Sequence, residues 1–179
     1  MEILSERQTM DIISQGRSAS EYVITNMLDE FEKKHPGLYR FIYGEPSDAI
    51  AEINHDMANL YLDLSCDVLW FFIKGFGNPP VTGSEKWTEN HIALIDGELK
   101  SLSDEIPMPD RVRENLQSRF VQRSIETNIQ VELMVYLNCE VARYSSFNKS
   151  RVEASQITRN FLFVLVRLMG DLYTEKAKA

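Results

Sequence analysis

Glu52 and His55 have the Glu-x-x-His spacing, which places a carboxylate and an imidazole on adjacent positions of one helix. Ferritin-like bundles build di-metal sites from two such motifs and two further glutamates. The chain has three histidines, and a mononuclear divalent-metal site at Glu52 and His55 would need Glu89 or His91 from another helix. Because no two histidines share a ligand spacing, we interpret His55 as a structural residue and keep the metal site as the alternative.

A stripe of polar residues continues from this motif along the same helical pattern. Its members recur at spacings of three and four, and they are Glu52, Asp56, Asn59 and Asp63. Such a cluster of carboxylates can surround a divalent cation. It is equally typical of the solvated face of an amphipathic helix, which is the interpretation we favour.

Asp67 and Arg167 are charged residues inside apolar stretches. Asp67 and Trp70 fall at the apolar end of the central helical pattern, whereas Arg167 interrupts the apolar run from 161 to 169. Because a buried charge needs a partner, we predict that Asp67 and Arg167 form an ion pair. The alternative is a pocket in which Arg167 holds a carboxylate or phosphate. Arg167, Asp67 and Trp70 are therefore the candidate ligand-binding residues.

The chain carries no recognisable catalytic motif. A Gly-rich phosphate loop, a Cys-x-x-Cys pair and a His-Glu-x-x-His motif are all missing from the sequence. Cys66 and Cys139 fall within predicted helices, and we interpret them as buried, reduced thiols of a cytosolic protein. We therefore expect a protein that is not an enzyme, and we name no candidate catalytic residue.

The stretch from Ser47 to Gly77 is the element around which the chain is organised. It has no Gly or Pro between Asp48 and Lys74, and apolar residues recur along it with helical period. We predict one long helix with Ser47 as its N-cap. Because apolar residues occupy two of its faces, this helix should be enclosed by neighbours.

Helical periodicity also marks the segments on both sides of this helix. A short N-terminal helix from Ser5 to Gln15 should end at Gly16, and a capping-box sequence at 82–85 should open a later helix. The pattern from Asp110 to Tyr144 changes phase near Ser124, which predicts a bend or break there. No stretch alternates as a strand does, so we predict an all-α bundle of four major helices, the short N-terminal helix and short connecting turns.

Length and charge narrow the range of functions. The 179 residues predict one domain, 1–179, in which residues 1–16 are an arm that docks on its own chain or is exchanged with a partner. The net charge of −8 disfavours nucleic acid and anionic membranes. No apolar run approaches a membrane span, and no apolar signal-peptide core is present, so we expect a cytoplasmic protein.

Abundant helical apolar surface without a catalytic motif favours a non-enzymatic interaction or regulatory protein. Two-fold homodimers are the commonest oligomers, so self-association is the expected partnership, with another protein as a further partner. No cofactor is predicted. A metalloprotein with a divalent metal at Glu52 and His55, and a small-ligand module anchored by Arg167, are the alternatives.

Overall fold

The computed structural model describes residues 1–81, 85–102, 106–126 and 129–176, which form α-helices and no strand. The helices are α1 (Glu6–Arg17), α2 (Glu21–Lys34), α3 (Pro36–Tyr43), α4 (Glu45–Ile53), α5 (His55–Phe76), α6 (Glu85–Ser101), α7 (Asp110–Glu126), α8 (Val131–Ser146) and α9 (Val152–Lys176). A 3₁₀ turn, Lys149–Arg151, precedes α9. The predicted all-α class is confirmed. Within these ranges, no helix combines the length and apolar character needed to cross a membrane.

Helix α5 lies at the centre of the core, as its two apolar faces predict. Helices α1, α4 and α9 pack closely against it, and α8 packs against α1 and α9. The apolar side chains of α5 that are completely shielded from solvent are Met57, Tyr61, Leu64, Val68, Leu69, Phe71 and Phe72. Burial of this many apolar side chains is the main favourable term in the stability of the fold.

The long helix predicted from Ser47 to Gly77 is divided in two. The chain leaves helical geometry at Asn54, whose φ and ψ are −159° and 113°. The Asn54 side chain accepts a hydrogen bond from the backbone N–H of Met57 at 3.0 Å and so caps α5. Ser47 is not a cap, because α4 begins at Glu45 with Pro46 in its first turn. The expected division into four major helices is therefore not found.

The break predicted near Ser124 is present a few residues later. Helix α7 continues to Glu126, and α8 begins at Val131. The capping-box sequence predicted at 82–85 falls mainly outside the described residues, whose second range begins at Glu85.

Gly16 lies inside α1 and does not end it, which corrects the sequence prediction. The N-terminal helix docks on its own chain, where the Trp70 indole N–H donates to the carbonyl oxygen of Ile12 at 3.0 Å. A Cβ on Gly16 would lie 2.8 Å from Cδ1 of Trp70. Glycine is therefore needed here for the close approach of α1 to the indole ring.

We expect Gly16→Ala to lower the free energy of unfolding by about 1–3 kcal/mol, because the added methyl group overpacks the contact with Trp70. Gly97→Ala is the matched control in α6, since no atom outside its own helix lies within 4 Å of the added Cβ. We expect this control to gain ~0.5–1 kcal/mol from helix propensity. Urea unfolding followed by tryptophan fluorescence measures both, and a neutral or stabilising Gly16→Ala would contradict the close packing.

Candidate functional site

Asp67 is buried on α5 and forms its ion pair with Arg17, not with the arginine predicted from the sequence. Its Oδ2 accepts hydrogen bonds from Arg17 Nη2 at 2.9 Å and from the Tyr136 hydroxyl at 2.7 Å. Burial, and then the hydrogen bond to Asp67, raise the pKa of Tyr136, so its hydroxyl remains a donor. Three helices, α1, α5 and α8, thus meet at one carboxylate.

Arg167 is fully buried on α9, where α6 and α7 supply its partners. Its Nη1 donates to Ser124 Oγ at 3.0 Å, and its Nη2 lies 3.6 Å from Glu98 Oε2. Arg123 bonds to Glu98 at 3.0 Å and also pairs with Asp171. Two arginines and two carboxylates therefore balance one another inside the protein.

The predicted ion pair between Asp67 and Arg167 is therefore wrong. Helices α5 and α9 do pack side by side, as expected. The two side chains nevertheless belong to separate networks, because Asp67 faces α1 and α8 whereas Arg167 faces α6 and α7. Two clefts lie beside Trp70, and Arg167 lines neither of them. The structure therefore gives no support to Arg167 as a ligand anchor.

Two open clefts meet at Trp70, and the first contains Asp67. This Asp67 cleft has a volume of about 450 Å³ and lies between α1, α2, α5 and α8. Its charged side chains are Arg17, Asp63, Asp67, Glu140 and Arg143. Most of these pair with one another, since Arg143 Nη2 lies 2.7 Å from Glu140 Oε2 and Arg17 binds Asp67. Most charged side chains of this cleft are thus already paired within the protein.

Cys66 also lines the Asp67 cleft, but it is a poor nucleophile. Burial, and then the charges of Asp67 and Asp63, raise the pKa of its thiol to about 11. The thiol is therefore protonated at neutral pH, and the thiolate is the reactive species. Cys139 is exposed on α8, which corrects the expectation of two buried thiols.

The second cleft, named here the His35 cleft, lies between α2 and the C-terminal half of α5. Its volume is about 310 Å³. Apolar side chains supply much of its wall, and they are Val23, Met27, Phe31, Trp70, Ile73 and Pro79. Helix α2 approaches the backbone of α3 more closely than that of α5, so its apolar residues Met27 and Leu28 are only half-buried. The cleft is the space that this separation leaves open.

His35 is the unusual residue of this second cleft. The residue is 1% exposed, and neither ring nitrogen has a hydrogen-bond partner among the described residues. Its ring packs 5.0 Å from that of Phe31. Burial, and then the charge of Lys34, lower the pKa of His35 to about 4, so the ring is neutral at physiological pH. A neutral imidazole offers one N–H donor and one acceptor, and both are unused here.

The structure separates the residues of the metal alternative. Glu52 lies at the end of α4 and His55 at the start of α5, with the cap Asn54 between them, so the pair does not share one helix. Both side chains are exposed. On α6, Glu89 is exposed, whereas His91 stacks on Trp87 at 4.0 Å.

No group of three or more potential metal ligands occurs in the described part of the chain. Asp56 of the acidic stripe instead binds Arg151 at 2.7 Å, which joins the start of α5 to the start of α9. The stripe therefore serves a structural contact at this position and is otherwise exposed at Glu52, Asn59 and Asp63.

Of the three predicted ligand-binding residues, the structure brings Asp67 and Trp70 together in one cleft and places Arg167 elsewhere. Sequence reasoning missed His35. The residue precedes Pro36-Gly37, a sequence typical of the end of a helix. No local pattern indicates that His35 lines a cleft.

A pair of double-mutant cycles tests the two networks. We expect Asp67→Asn and Tyr136→Phe to show a coupling energy of about 1–2 kcal/mol, because each substitution disrupts the same buried hydrogen bond between the Tyr136 hydroxyl and the carboxylate. Asp67→Asn and Arg167→Met should be additive within ~0.5 kcal/mol, and Arg167→Met alone should cost ~3–5 kcal/mol by removing one of the two cations that balance Glu98 and Asp171. Urea unfolding supplies the free energies, and strong coupling between Asp67 and Arg167 would contradict the assignment.

The chain matches no family model, and neither the curated proteins nor the solved structures contain a significant match to it. An all-α architecture hosts many unrelated activities, so it carries no function by itself. The function must therefore be inferred from the side chains that meet at Trp70.

Proposed function

We propose that this chain binds a small molecule in the His35 cleft and acts by binding, not by catalysis. The observation that carries the proposal is His35, which lines the cleft and whose two ring nitrogens are buried without a partner among the described residues. An unpaired polar group in a protein interior costs free energy, and most are satisfied. A ligand that supplies the missing hydrogen bond removes this cost.

The walls of the cleft suit such a ligand. Binding sites for small molecules are mostly apolar concavities of about 300–1,000 Å³ with a few converging polar groups, and the His35 cleft reaches the lower bound of this range. Trp70 and Phe31 offer aromatic surface, and His35 offers the polar group. The cleft lies between two helices, where sites in bundles are commonly built.

Catalysis has less support in this region. The Asp67 carboxylate is engaged by Arg17 and Tyr136, so it is not a free general base. The Cys66 thiol is held protonated by its raised pKa. Both groups are therefore better explained as structural parts of the neighbouring cleft.

The binding proposal is tested with the neutral fluorescent probe N-phenyl-1-naphthylamine. We expect the wild type to bind it, and Asn26→Phe, which fills the cleft from α2, to weaken binding at least ~10-fold, or 1.4 kcal/mol. Thr25→Phe is the matched control, because Thr25 is an exposed neighbour on the same helix and does not line the cleft.

A further variant separates a functional histidine from a structural one. His35→Phe should weaken probe binding while raising the free energy of unfolding by about 1 kcal/mol or more, since an unpaired polar group is removed. Equal binding by the wild type and Asn26→Phe, or a strong loss of stability in His35→Phe, would argue against the proposal.

A second candidate function is self-association as a homodimeric interaction or regulatory protein. The observation that favours it is an exposed apolar face where the N-terminus meets α8. The Gln130 side chain binds the backbone of Glu2 and Leu4, which holds the backbone of Ile3 near the start of α8. Ile3, Val131 and Val135 are 50%, 52% and 51% exposed. Since Val131 and Val135 are one turn apart, they form a continuous strip that a second copy can cover.

For this second candidate, sedimentation equilibrium at micromolar concentration should give about twice the chain mass of 20.7 kDa. Val135→Asp should return the mass to one chain, because a dimer interface would bury the new charge. Val121→Asp is the control, since Val121 is similarly exposed on α7. A wild-type mass of one chain would reject the dimer and leave the ligand proposal untouched.

A further inference from the structure

We infer that the ligand of the His35 cleft is a small organic anion with a flat apolar body, an inference that rests on the proposed binding function. The charged side chains at the cleft are Glu30, Lys34 and Lys74. Glu30 is shared by two lysines, since its carboxylate lies 3.1 Å from Lys34 Nζ and 3.6 Å from Lys33 Nζ. The lining therefore has a net positive charge although the whole chain carries −8.

Of the two lysines that line the cleft, Lys74 is the one without a carboxylate partner among the described residues. Within the described residues no acidic side chain pairs with it, and its Nζ instead lies 4.6 Å from the ring centroid of Trp70. This cation–π contact holds the ammonium group beside the cleft. Lys74 is exposed at the surface, and a positive charge next to the low-dielectric wall of a cleft attracts an anion.

His35 adds a directional contact to this charge. Its ring is neutral at physiological pH, so one nitrogen donates a hydrogen bond and the other accepts one. An acid group on the ligand can accept the N–H, and hydrogen bonds to charged groups are shorter and stronger than neutral ones. Both ring nitrogens are closed to water in this structure, so this bond forms only when the ring moves toward the ligand.

The rest of the cleft determines the body of the ligand. Met27 and Ile73 are apolar, and Phe31 lies against the His35 ring. Trp70 lies at the boundary of the cleft, with Gly16 and Lys74 packed against its ring. A flat ring system of about the size of naphthalene fits these walls and a volume of about 310 Å³.

Two probes with one aromatic frame test the charge. 8-Anilinonaphthalene-1-sulfonate is an anion, and N-phenyl-1-naphthylamine is the same frame without the sulfonate. We expect the wild type to bind the sulfonate more tightly, and Lys74→Gln to weaken the sulfonate ~10-fold while changing the neutral probe less than ~2-fold. Lys74→Arg should retain the preference. Lys100→Gln on α6, where Lys100 pairs with Asp96 outside the cleft, is the matched control.

The outcomes distinguish this inference from the proposed function. If Lys74→Gln leaves the preference for the sulfonate unchanged, or if both probes bind equally, the anion is rejected and the binding function stands. If the sulfonate is lost with Arg143→Gln instead, the anion belongs to the Asp67 cleft and the inference is overturned. If neither probe binds the wild type, the proposed function itself fails.

Discussion

The contact between Trp70 and α1 is the constraint on which the rest of this region depends. The indole ring lies against Gly16, and its N–H donates to the carbonyl oxygen of Ile12. These two contacts fix the ring between helices, so its remaining surface forms a boundary shared by the two clefts. A smaller residue at position 70 would merge the clefts, and a larger one at position 16 would displace α1. The geometry of the candidate site is thus set by packing at a single ring.

The buried polar groups of the protein are satisfied to different degrees. Around Arg167, four charged side chains join three helices and balance one another, although Arg167 Nε and Nη2 and Glu98 Oε2 have no hydrogen-bond partner among the described residues. The two ring nitrogens of His35 also lack a partner, and His35, unlike Arg167, lines one of the two clefts beside Trp70. An unsatisfied buried group calls for a physical explanation, and a ligand in this cleft is the one we propose for His35.

The sequence predicted the helical class and the central position of α5, because apolar periodicity reflects burial directly. It did not predict the break at Asn54, since the apolar spacing from Ile50 to Met57 continues across the break without Gly or Pro. Asn54 was a signal that could have been used, because asparagine is among the best N-caps.

The charged partners were predicted less well than the helices. Burial of Asp67 and Arg167 was predicted correctly from their apolar neighbours. The pairing was wrong because it depends on which helices lie next to each other and how each is rotated, and periodicity gives neither. Arg17 comes from the N-terminal helix, 50 residues away from Asp67 along the chain. His35 was missed for a related reason, since only the separation between α2 and α5 creates its cleft.

The attachment of the N-terminus has a consequence for the order in which the chain assembles. The backbone N–H of Leu4 bonds to the side chain of Gln130, 126 residues later, and Arg17 reaches Asp67 and Glu140. Closing so long a loop is entropically costly, and contacts of large sequence separation slow folding. During synthesis, α1 leaves the ribosome before α5 and α8 exist, so it must wait for the partners that hold it. Both clefts therefore acquire their final shape only after α1 has docked on α5 and α8.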